Sequence, residues 1–391
     1  MGRSASMTEE TPMIASRHRS APVWRGLLVC AALVLSGMPA VSAAGDAPET
    51  AVSRIAFGSC ANQNKPQPVW RQVMAREPQL MLMLGDNVYA DTTDMAVMAR
   101  CYEKLGKEPG FAALREHATV LGIWDDHDFG ANDAGAGYPQ KEAARRLMLD
   151  FFGEPMDSPR RSRPDGAYGS WIFGPEGRRV QIILLDLRWN RSPLKHVSQE
   201  EYARTREPAR MGPYLPDDAE SATLLGEAQW RWLEAQLREP AELRLIGSSI
   251  QCLAEFTGWE AWANFPRERR RLFELLARTR ANGVIVLSGD THWAELSSVG
   301  PEEGVPYPLW EITSSGLTEV WPAISPNRHR VGEAFAMANF GLVEIDWERD
   351  DPAVTLSIIS AIGETLLQQH LLLSQLSAVK TPQGKTGKEQ I

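Results

Sequence analysis

The chain has 391 residues, of which 43% are hydrophobic and 23% charged, a length that suits one large globular domain or two smaller ones. Its 41 basic and 50 acidic residues give a formal charge of −9 at pH 7, so no basic excess supports a nucleic-acid partner. Four cysteines do not amount to a disulfide framework.

The N-terminus has the pattern of a secretory signal. Several arginines precede the apolar run Leu27–Leu35, and Val41-Ser42-Ala43 supplies small residues at a cleavage site. The run is too short to span a bilayer comfortably. We therefore expect residues 1–43 to be a signal peptide, residues 44–53 a linker, and the mature protein to be periplasmic or secreted without stable membrane insertion. Removing the signal leaves a more acidic chain, which suits a site that holds cations.

After the linker, short apolar runs alternate with segments of helical spacing. The predicted strands are Arg54–Phe57, Leu80–Leu84, Thr119–Trp124, Gly169–Phe173, Arg179–Leu185, Leu243–Ser248, Val284–Leu287, Leu309–Thr313, Phe340–Ile345 and Val354–Ile359. The predicted helices are Val69–Arg76, Asp94–Lys104, Phe111–His117, Glu142–Phe152, Leu225–Leu237 and Arg269–Arg280. This alternation predicts an α/β fold with a largely parallel core, occupying residues 54–379 and followed by a polar tail at 380–391.

Two loops are too distinctive to be passive connections. Gly130–Gln140 is rich in glycine and aspartate and is long enough to border a pocket. Asn190–Asp218 is long and polar, which predicts a lid or a pocket wall.

Potential metal ligands follow four of the apolar strands. Because chemistry in open α/β sheets collects beyond the carboxyl ends of parallel strands, we expect these side chains to share one site. They are Cys60, Asp86 with Tyr89, Asp126 with His127, and Asp290 with His292.

The residue types limit the metals that this site would hold. Carboxylates suit hard cations, imidazole suits first-row transition metals, and a thiolate argues against a purely Mg²⁺ or Ca²⁺ site. Tyr89 would become a ligand only against a strong Lewis acid such as ferric iron, because a phenol has a pKa of about 10. The alternatives are that Tyr89 is a core aromatic and Cys60 a small buried hydrophobe. Of the remaining cysteines, Cys101 and Cys252 are the most plausible disulfide pair in an oxidising compartment.

The ordered set of motifs resembles the PhoD-like (alkaline phosphatase D) branch of the metallophosphoesterases. The resemblance covers about residues 55–347 and implies a layered β-sandwich flanked by helices, with the active site at the C-terminal ends of the strands. The motifs that carry it are Phe57–Cys60 (FGSC), Leu84–Tyr89 (LGDNVY), Trp124–Asp128 (WDDHD), Leu184–Arg188 (LLDLR), Ser248–Gln251 (SSIQ) and Ser288–His292 (SGDTH).

The resemblance also implies roles and cofactors. Fe³⁺ combined with Ca²⁺ is expected, with another divalent metal as the alternative at the second site. Cys60 and Tyr89 would ligate the iron and Asp86 would bridge the metals. Asp126 would be a ligand where this superfamily usually places an asparagine, and His127 would contact the phosphate or protonate the leaving oxygen. The metal shell would be completed by Asp290 and His292.

The chain departs from the superfamily pattern in two places. Cys60 replaces the usual Asp-x-His of the first strand, as it does in this branch. The isolated histidine ligand expected before the last motif is missing, since Gln251 occupies that strand end and His196 lies in a loop.

The expected activity is hydrolysis of a small phosphoester by hydroxide attacking phosphorus in line, with His127 assisting departure of the leaving group. Arg188 is a candidate phosphate contact, with a structural ion pair as the alternative. Asp125 and Asp128 are expected to orient His127 and the metals. Two rivals stay open, namely a phospholipid- or nucleotide-directed phosphodiesterase using the same site, and a non-catalytic exported metal-binding protein.

Overall fold

The computed structural model describes residues 50–378. The signal peptide predicted at 1–43, most of the linker and the polar tail lie outside the described residues. The strands within this range are β1 Arg54–Gly58, β2 Leu80–Leu84, β3 Thr119–Ile123, β4 Gly169–Phe173, β5 Val180–Leu184, β6 Lys195–His196, β7 Tyr214–Leu215, β8 Leu243–Ser248, β9 Val284–Ser288, β10 Ala294–Val299, β11 Leu309–Ser314, β12 Asn339–Asp346, β13 Ala353–Ser360 and β14 Thr365–Leu372.

Nine α-helical segments are present among the same residues. They are α1 Val69–Met74, α2 Met95–Gly106, α3 Pro109–His117, α4 Asp126–Phe129, α5 Lys141–Phe151, α6 Pro159–Ser162, α7 Gln199–Glu201, α8 Glu227–Leu237 and α9 Pro266–Thr279. Helix α9 begins earlier than predicted because Pro266 is compatible with the first turn of a helix. It ends where Arg280 adopts a left-handed conformation with φ of 54°.

Two six-stranded sheets form the centre of the fold. Their strand orders are β14-β13-β12-β1-β2-β3 and β10-β11-β9-β8-β5-β4. Strands β1, β2 and β3 are parallel, as are β5, β8, β9 and β11, whereas the marginal strands pair antiparallel. The prediction of a parallel core therefore holds for the central strands and not for the margins.

The inner faces of the two sheets pack against each other. A methyl group added to Gly247 in β8 would lie 2.9 Å from the Leu84 side chain of β2. Buried residues of both sheets belong to one hydrophobic core. Since parallel strands need crossover connections, α1 links β1 to β2, α8 links β5 to β8, and α9 links β8 to β9. The α/β layered β-sandwich with flanking helices is confirmed.

Strands β10 and β14 were not predicted. In β10 the apolar alternation ends after Leu296, and Glu295 is fully buried, where it pairs with Arg330 and accepts a hydrogen bond from Gln251. The edge strand β14 has the sequence TLLQQHLL, which lacks period-two alternation. Neither strand shows a hydrophobic pattern that identifies it without its tertiary partners.

The three cysteines of the described chain are free thiols, so the predicted Cys101–Cys252 disulfide is wrong. Cys101 lies on α2, which follows a strand of the first sheet. Cys252 is buried after β8 in the second sheet, where its N–H donates to Glu311. Cys101 therefore follows a strand of the first sheet, whereas Cys252 follows a strand of the second.

Among the described residues, no helix has both the length and the apolar character needed to cross a membrane.

Candidate metal centre

The carboxyl ends of the central strands of both sheets meet at one edge of the sandwich. Cys60 follows β1, Asp86 follows β2, and Asp290 follows β9. Backbone hydrogen bonds join these segments: the N–H of Cys60 donates to the Gly85 carbonyl at 3.3 Å. The N–H of Asp290 donates to Ser59 Oγ at 3.3 Å, which links the second sheet to the first. The structure thus brings together strand ends that are up to 230 positions apart in the chain.

The backbone is strained at four of the predicted site residues. The φ angles are 65° at Cys60, 49° at Asp86, 72° at Asp290 and 61° at His292. A left-handed conformation is unfavourable for residues with a Cβ and persists only where surrounding structure enforces it. Clustering of such residues is typical of functional sites.

One group of donors combines a thiol, a phenol, an imidazole and a carboxylate. Cys60 Sγ lies 3.4 Å from Asp86 Oδ2, and the Tyr89 hydroxyl lies 3.4 Å from the same oxygen. The Tyr89 hydroxyl is also 3.0 Å from His292 Nε2. Ligand atoms of Cys60, Asp86 and His292 all lie within 4.8 Å of one another. The four side chains thus place sulfur, oxygen and nitrogen donors close to one another.

A second group consists of carboxylates. Ligand atoms of Asp86, Asp125, Asp126 and Asp290 also lie within 4.8 Å of one another. Asp86 belongs to both groups, so its carboxylate lies between a sulfur- and nitrogen-containing half and an oxygen-only half. Asp126 also approaches Asp133 and Glu260 to within the same limit.

The buried charges in this centre repel one another. Burial raises the pKa of Asp86 well above its usual value, and the charge of Asp126 adds to the shift. The pKa of Asp290 is likewise raised well above its usual value, first by burial and then by the charge of Asp125. Burial alone would raise the pKa of Asp126 too, but the charges of Arg188 and His127 hold it down at about 2. This excess of buried negative charge is what a bound cation would neutralise.

Burial also disfavours ionisation of the softer donors. It raises the pKa of the Cys60 thiol to about 12, against the hydrogen bonds of Ser315 and Ser59, which lower it. The pKa of Tyr89 is raised well above its usual value, first by burial and then by the charge of Cys60. Both groups would ionise only beside a strong Lewis acid, since a coordinating cation stabilises thiolate and phenolate. The donor set therefore fits metal binding.

His127 is held by Asp91, a residue that sequence reasoning missed. Both carboxylate oxygens of Asp91 lie 2.8 Å from His127 Nδ1. Burial lowers the pKa of His127, but the hydrogen bond that its ring donates to Asp91 and the charge of Asp126 outweigh this effect and raise the pKa to about 9. The ring also packs on Tyr89, with centroids 4.3 Å apart. Asp91 in turn accepts the N–H of Asn132 at 2.9 Å.

A signal for Asp91 did exist in the sequence. A catalytic histidine usually has its second ring nitrogen bound to a carboxylate, which fixes the tautomer. Asp91 was the acidic residue nearest to the strand-end motif without another role.

Asp125 and Asp128 were expected to orient His127 and the metals, but the His127 ring is hydrogen-bonded by Asp91 instead. Asp128 accepts the N–H groups of Asp86 at 3.1 Å and Asp125 at 2.7 Å, so it fixes the loop that carries Asp86. Asp125 accepts hydrogen bonds from Arg188 at 2.5 Å and Ser249 at 2.6 Å.

Arg188 lies in a buried ion pair, which was one of its two predicted roles. Its side chain is fully buried, with Nε at 2.5 Å from Asp125 and Nη1 at 2.6 Å from Glu260. The third nitrogen, Nη2, has no hydrogen-bond partner among residues 50–378 and lies 4.0 Å from Asp126 Oδ1. The contact of Arg188 with phosphate stays a prediction.

Neither Gln251 nor His196 takes the place of the isolated histidine ligand that the superfamily pattern would require. Gln251 is buried and donates to Glu295 at 2.6 Å and Thr313 at 3.1 Å. His196 is exposed and its Nδ1 lies 3.0 Å from the Val197 carbonyl. Within residues 50–378, the histidines that belong to possible metal-binding groups are His127 and His292.

A family model for PhoD-like phosphatases matches residues 55–343. The chain belongs to this family. As a PhoD-like phosphatase it is a metal-dependent phosphoric ester hydrolase. The matched range begins at the residue where the motif resemblance begins and ends within a few residues of where it ends, so the family resemblance is confirmed.

Several solved structures are similar to this fold. The structure of PhoD matches with a TM-score of 0.57 and 17% identity, over 82% of this chain and 73% of that one. GAP50, described as the anchor in the inner membrane complex of Plasmodium, matches with a TM-score of 0.50 and 12% identity, over 85% and 90%. A dimetal phosphatase from Danio rerio has a TM-score of 0.46 and 13% identity, over 84% and 100%. No curated protein matches the chain.

Proposed function

We propose that this PhoD-like phosphatase is exported and hydrolyses small phosphomonoesters and phosphodiesters with an iron–calcium centre. The observation that carries the proposal is the position of Asp86, whose carboxylate is shared by the Cys60–His292 group and the Asp126–Asp290 group. A carboxylate in that position suits a bridge between two unlike cations.

The two groups differ in the metals they suit. Cys60, Tyr89 and His292 offer a thiolate, a phenolate and an imidazole, which together favour Fe³⁺. Asp126 and Asp290 offer oxygen ligands, which favour Ca²⁺ or another hard divalent cation. When bound, two such cations neutralise the charge that develops on the phosphoryl oxygens and lower the pKa of water at the site.

The protein itself positions a proton donor, His127, and holds it in one orientation. Asp91 occupies Nδ1 of His127, which leaves Nε2 as the nitrogen that faces a substrate. A positioned histidine that protonates a leaving oxygen contributes about 10²–10⁴-fold to the rate. The backbone N–H of His127 also donates to Asp126 Oδ1 at 2.9 Å. The proton donor and one proposed metal ligand are therefore fixed relative to each other.

Export is proposed from the signal-peptide pattern of residues 1–43. Expression of the full chain in a bacterial host followed by cell fractionation tests it. We expect the protein in the periplasmic or extracellular fraction, with an N-terminus near residue 44. A cytoplasmic protein that retains Leu27–Leu35 would refute export without affecting the catalytic proposal.

Hydrolysis of an aryl phosphate and of a bis-aryl phosphate by metal-loaded protein tests the activity. We expect turnover of both and its loss in Asp86→Ala, with the fold intact by circular dichroism. Asp350→Ala is the matched control, because Asp350 is exposed in the turn between β12 and β13. Retained activity in folded Asp86→Ala would sink the assignment of the site, and turnover of the diester alone would favour the phosphodiesterase rival.

A further inference from the structure

A cavity of about 420 Å³ opens between two loops beside the metal centre. One wall is the segment 133–138, and the other is formed by Arg191, Pro193, Leu194, His196 and Tyr214. Its volume falls within the range of about 300–1,000 Å³ that is usual for ligand sites. The walls come from the two loops whose composition predicted a pocket border and a lid or pocket wall.

The first wall is tied directly to the catalytic groups. The N–H of Asp133 donates to Asp126 Oδ2 at 2.6 Å, and the N–H of Asn132 donates to Asp91, which holds His127. The second wall is tied to the first, because the Tyr214 hydroxyl donates to the Asp133 carboxylate. A group that enters this cavity therefore lies against the loop that holds both a proposed metal ligand and the partner of the proton donor.

The chemistry of the walls limits what enters. Most of the lining is aliphatic or glycine, including Ala134, Pro193 and Leu194. Arg191 is the one arginine or lysine among the described residues that line the cavity, and its charge already has partners. Its Nε lies 3.2 Å from Glu260, and its two terminal nitrogens donate to backbone carbonyls. Among the described residues, no lysine and no second arginine lines the cavity to receive a second phosphate, and the other ionisable lining groups are Asp133, His196 and two tyrosines.

We propose that this cavity binds the uncharged apolar part of the substrate, an alkyl chain or an aromatic ring esterified to the phosphate. The inference rests on the proposed function, because the phosphate itself must occupy the metal centre. It narrows the substrate class to phosphate esters of apolar alcohols and disfavours polyphosphates and other substrates with a second anionic group.

The test uses n-alkylphosphonates of one to six carbons as non-hydrolysable probes of the metal-loaded protein, with binding measured by calorimetry. We expect affinity to rise with chain length by up to about fourfold per buried methylene, until the cavity is filled. A phosphonate with a carboxylate at the far end of a six-carbon chain should bind more weakly than hexylphosphonate. This comparison needs no variant, so it does not depend on whether a substitution folds.

Gly137→Phe tests the location of the effect. A Cβ at Gly137 meets no atom within 4 Å, so a larger side chain has room without distorting the loop. We expect this variant to bind methylphosphonate normally and to lose most of the gain from the longer chains. Ala241→Phe is the matched control, because Ala241 lines a cavity of about 400 Å³ at the opposite ends of β8 and β9.

The outcomes separate this inference from the proposed function. If methylphosphonate binds and aryl phosphate is hydrolysed but chain length has no effect, the cavity proposal is overturned. Equal affinity for the carboxylate-tipped probe, or an equal loss for all probes in Gly137→Phe, would overturn it too. Absence of both phosphonate binding and hydrolysis would instead overturn the proposed function.

Discussion

Replacing Asp91 by asparagine should move the pH dependence of catalysis more than its maximum. In the wild-type protein both Asp91 oxygens contact His127 Nδ1, and the pKa of His127 stands at about 9 compared with an ordinary 6.5. A raised histidine pKa keeps the imidazolium, and with it the proton for the leaving group, available up to higher pH. Loss of the Asp91 charge should shorten that range.

The size of the effect follows from the contact. An opposite charge in direct contact shifts a pKa by about 1–3 units. In Asp91→Asn the alkaline decline of kcat/KM should therefore begin at a pH lower by about that amount. Above the wild-type limb this corresponds to roughly a 10- to 1,000-fold loss, whereas below both limbs the two proteins should differ little. Bound cations repel the imidazolium in both proteins, so the difference between the two profiles is the quantity to measure.

The assay is the pH profile of kcat/KM for an aryl phosphate, with circular dichroism to show that the variant is folded. Because the Asp91 side chain is 43% exposed, its replacement should change the free energy of unfolding little. In a His127→Gln background, Asp91→Asn should have no further effect on the profile, since the two residues act through one proton. A loss that is uniform across pH, or that persists in the His127→Gln background, would refute the reasoning.

Three further outcomes follow from the same centre. Tyr89→Phe should abolish a visible tyrosinate–ferric absorption band while elemental analysis still finds iron, and a colourless wild-type protein with zinc alone would contradict the iron assignment. Chelation should abolish activity and lower Tm, because cations bound only to the native state stabilise it, so an unchanged Tm in calorimetry would contradict a loaded centre. Glu260→Gln should lower the free energy of unfolding by about 3–5 kcal/mol in urea titrations, because Arg188 and Arg191 lose their shared carboxylate, and a loss below about 1 kcal/mol would contradict this.

The strands that carry the site were the easiest part of the fold to predict. Strand β2, Leu80–Leu84, is buried at every position, and an unbroken apolar run ending in Gly-Asp-Asn identifies both the strand and its end. Strand β10 was missed because Glu295 and Ser297 are buried there through pairing that only the tertiary structure supplies. From sequence alone, a charged residue is assigned to the surface, and only its partner in the folded structure explains why it is buried.

The same distinction applies to the site. Cys60, Asp86, Asp126 and Asp290 were predictable because their place after a strand determines where they lie. Contacts between loops are not determined by strand position. The pairing of Asp91 with His127 depends on the path of the chain between β2 and α2, which no periodicity encodes.

The strained backbone and the buried negative charge share one explanation in the contacts between the two sheets. The N–H of Ser59 donates to the Ser314 carbonyl at 3.1 Å, and the N–H of Leu317 donates back to the Ser59 carbonyl at 3.2 Å. These bonds hold the end of β1 against the end of β11, beside β9, so neither Cys60 nor Asp290 relaxes without separating the sheets. The shared core resists that separation, and a cation held by these carboxylates would lower the remaining repulsion. The backbone strain imposed by the fold and the charge of a bound metal would therefore act on the same few side chains. Together they would keep the geometry of these side chains fixed when a phosphate binds.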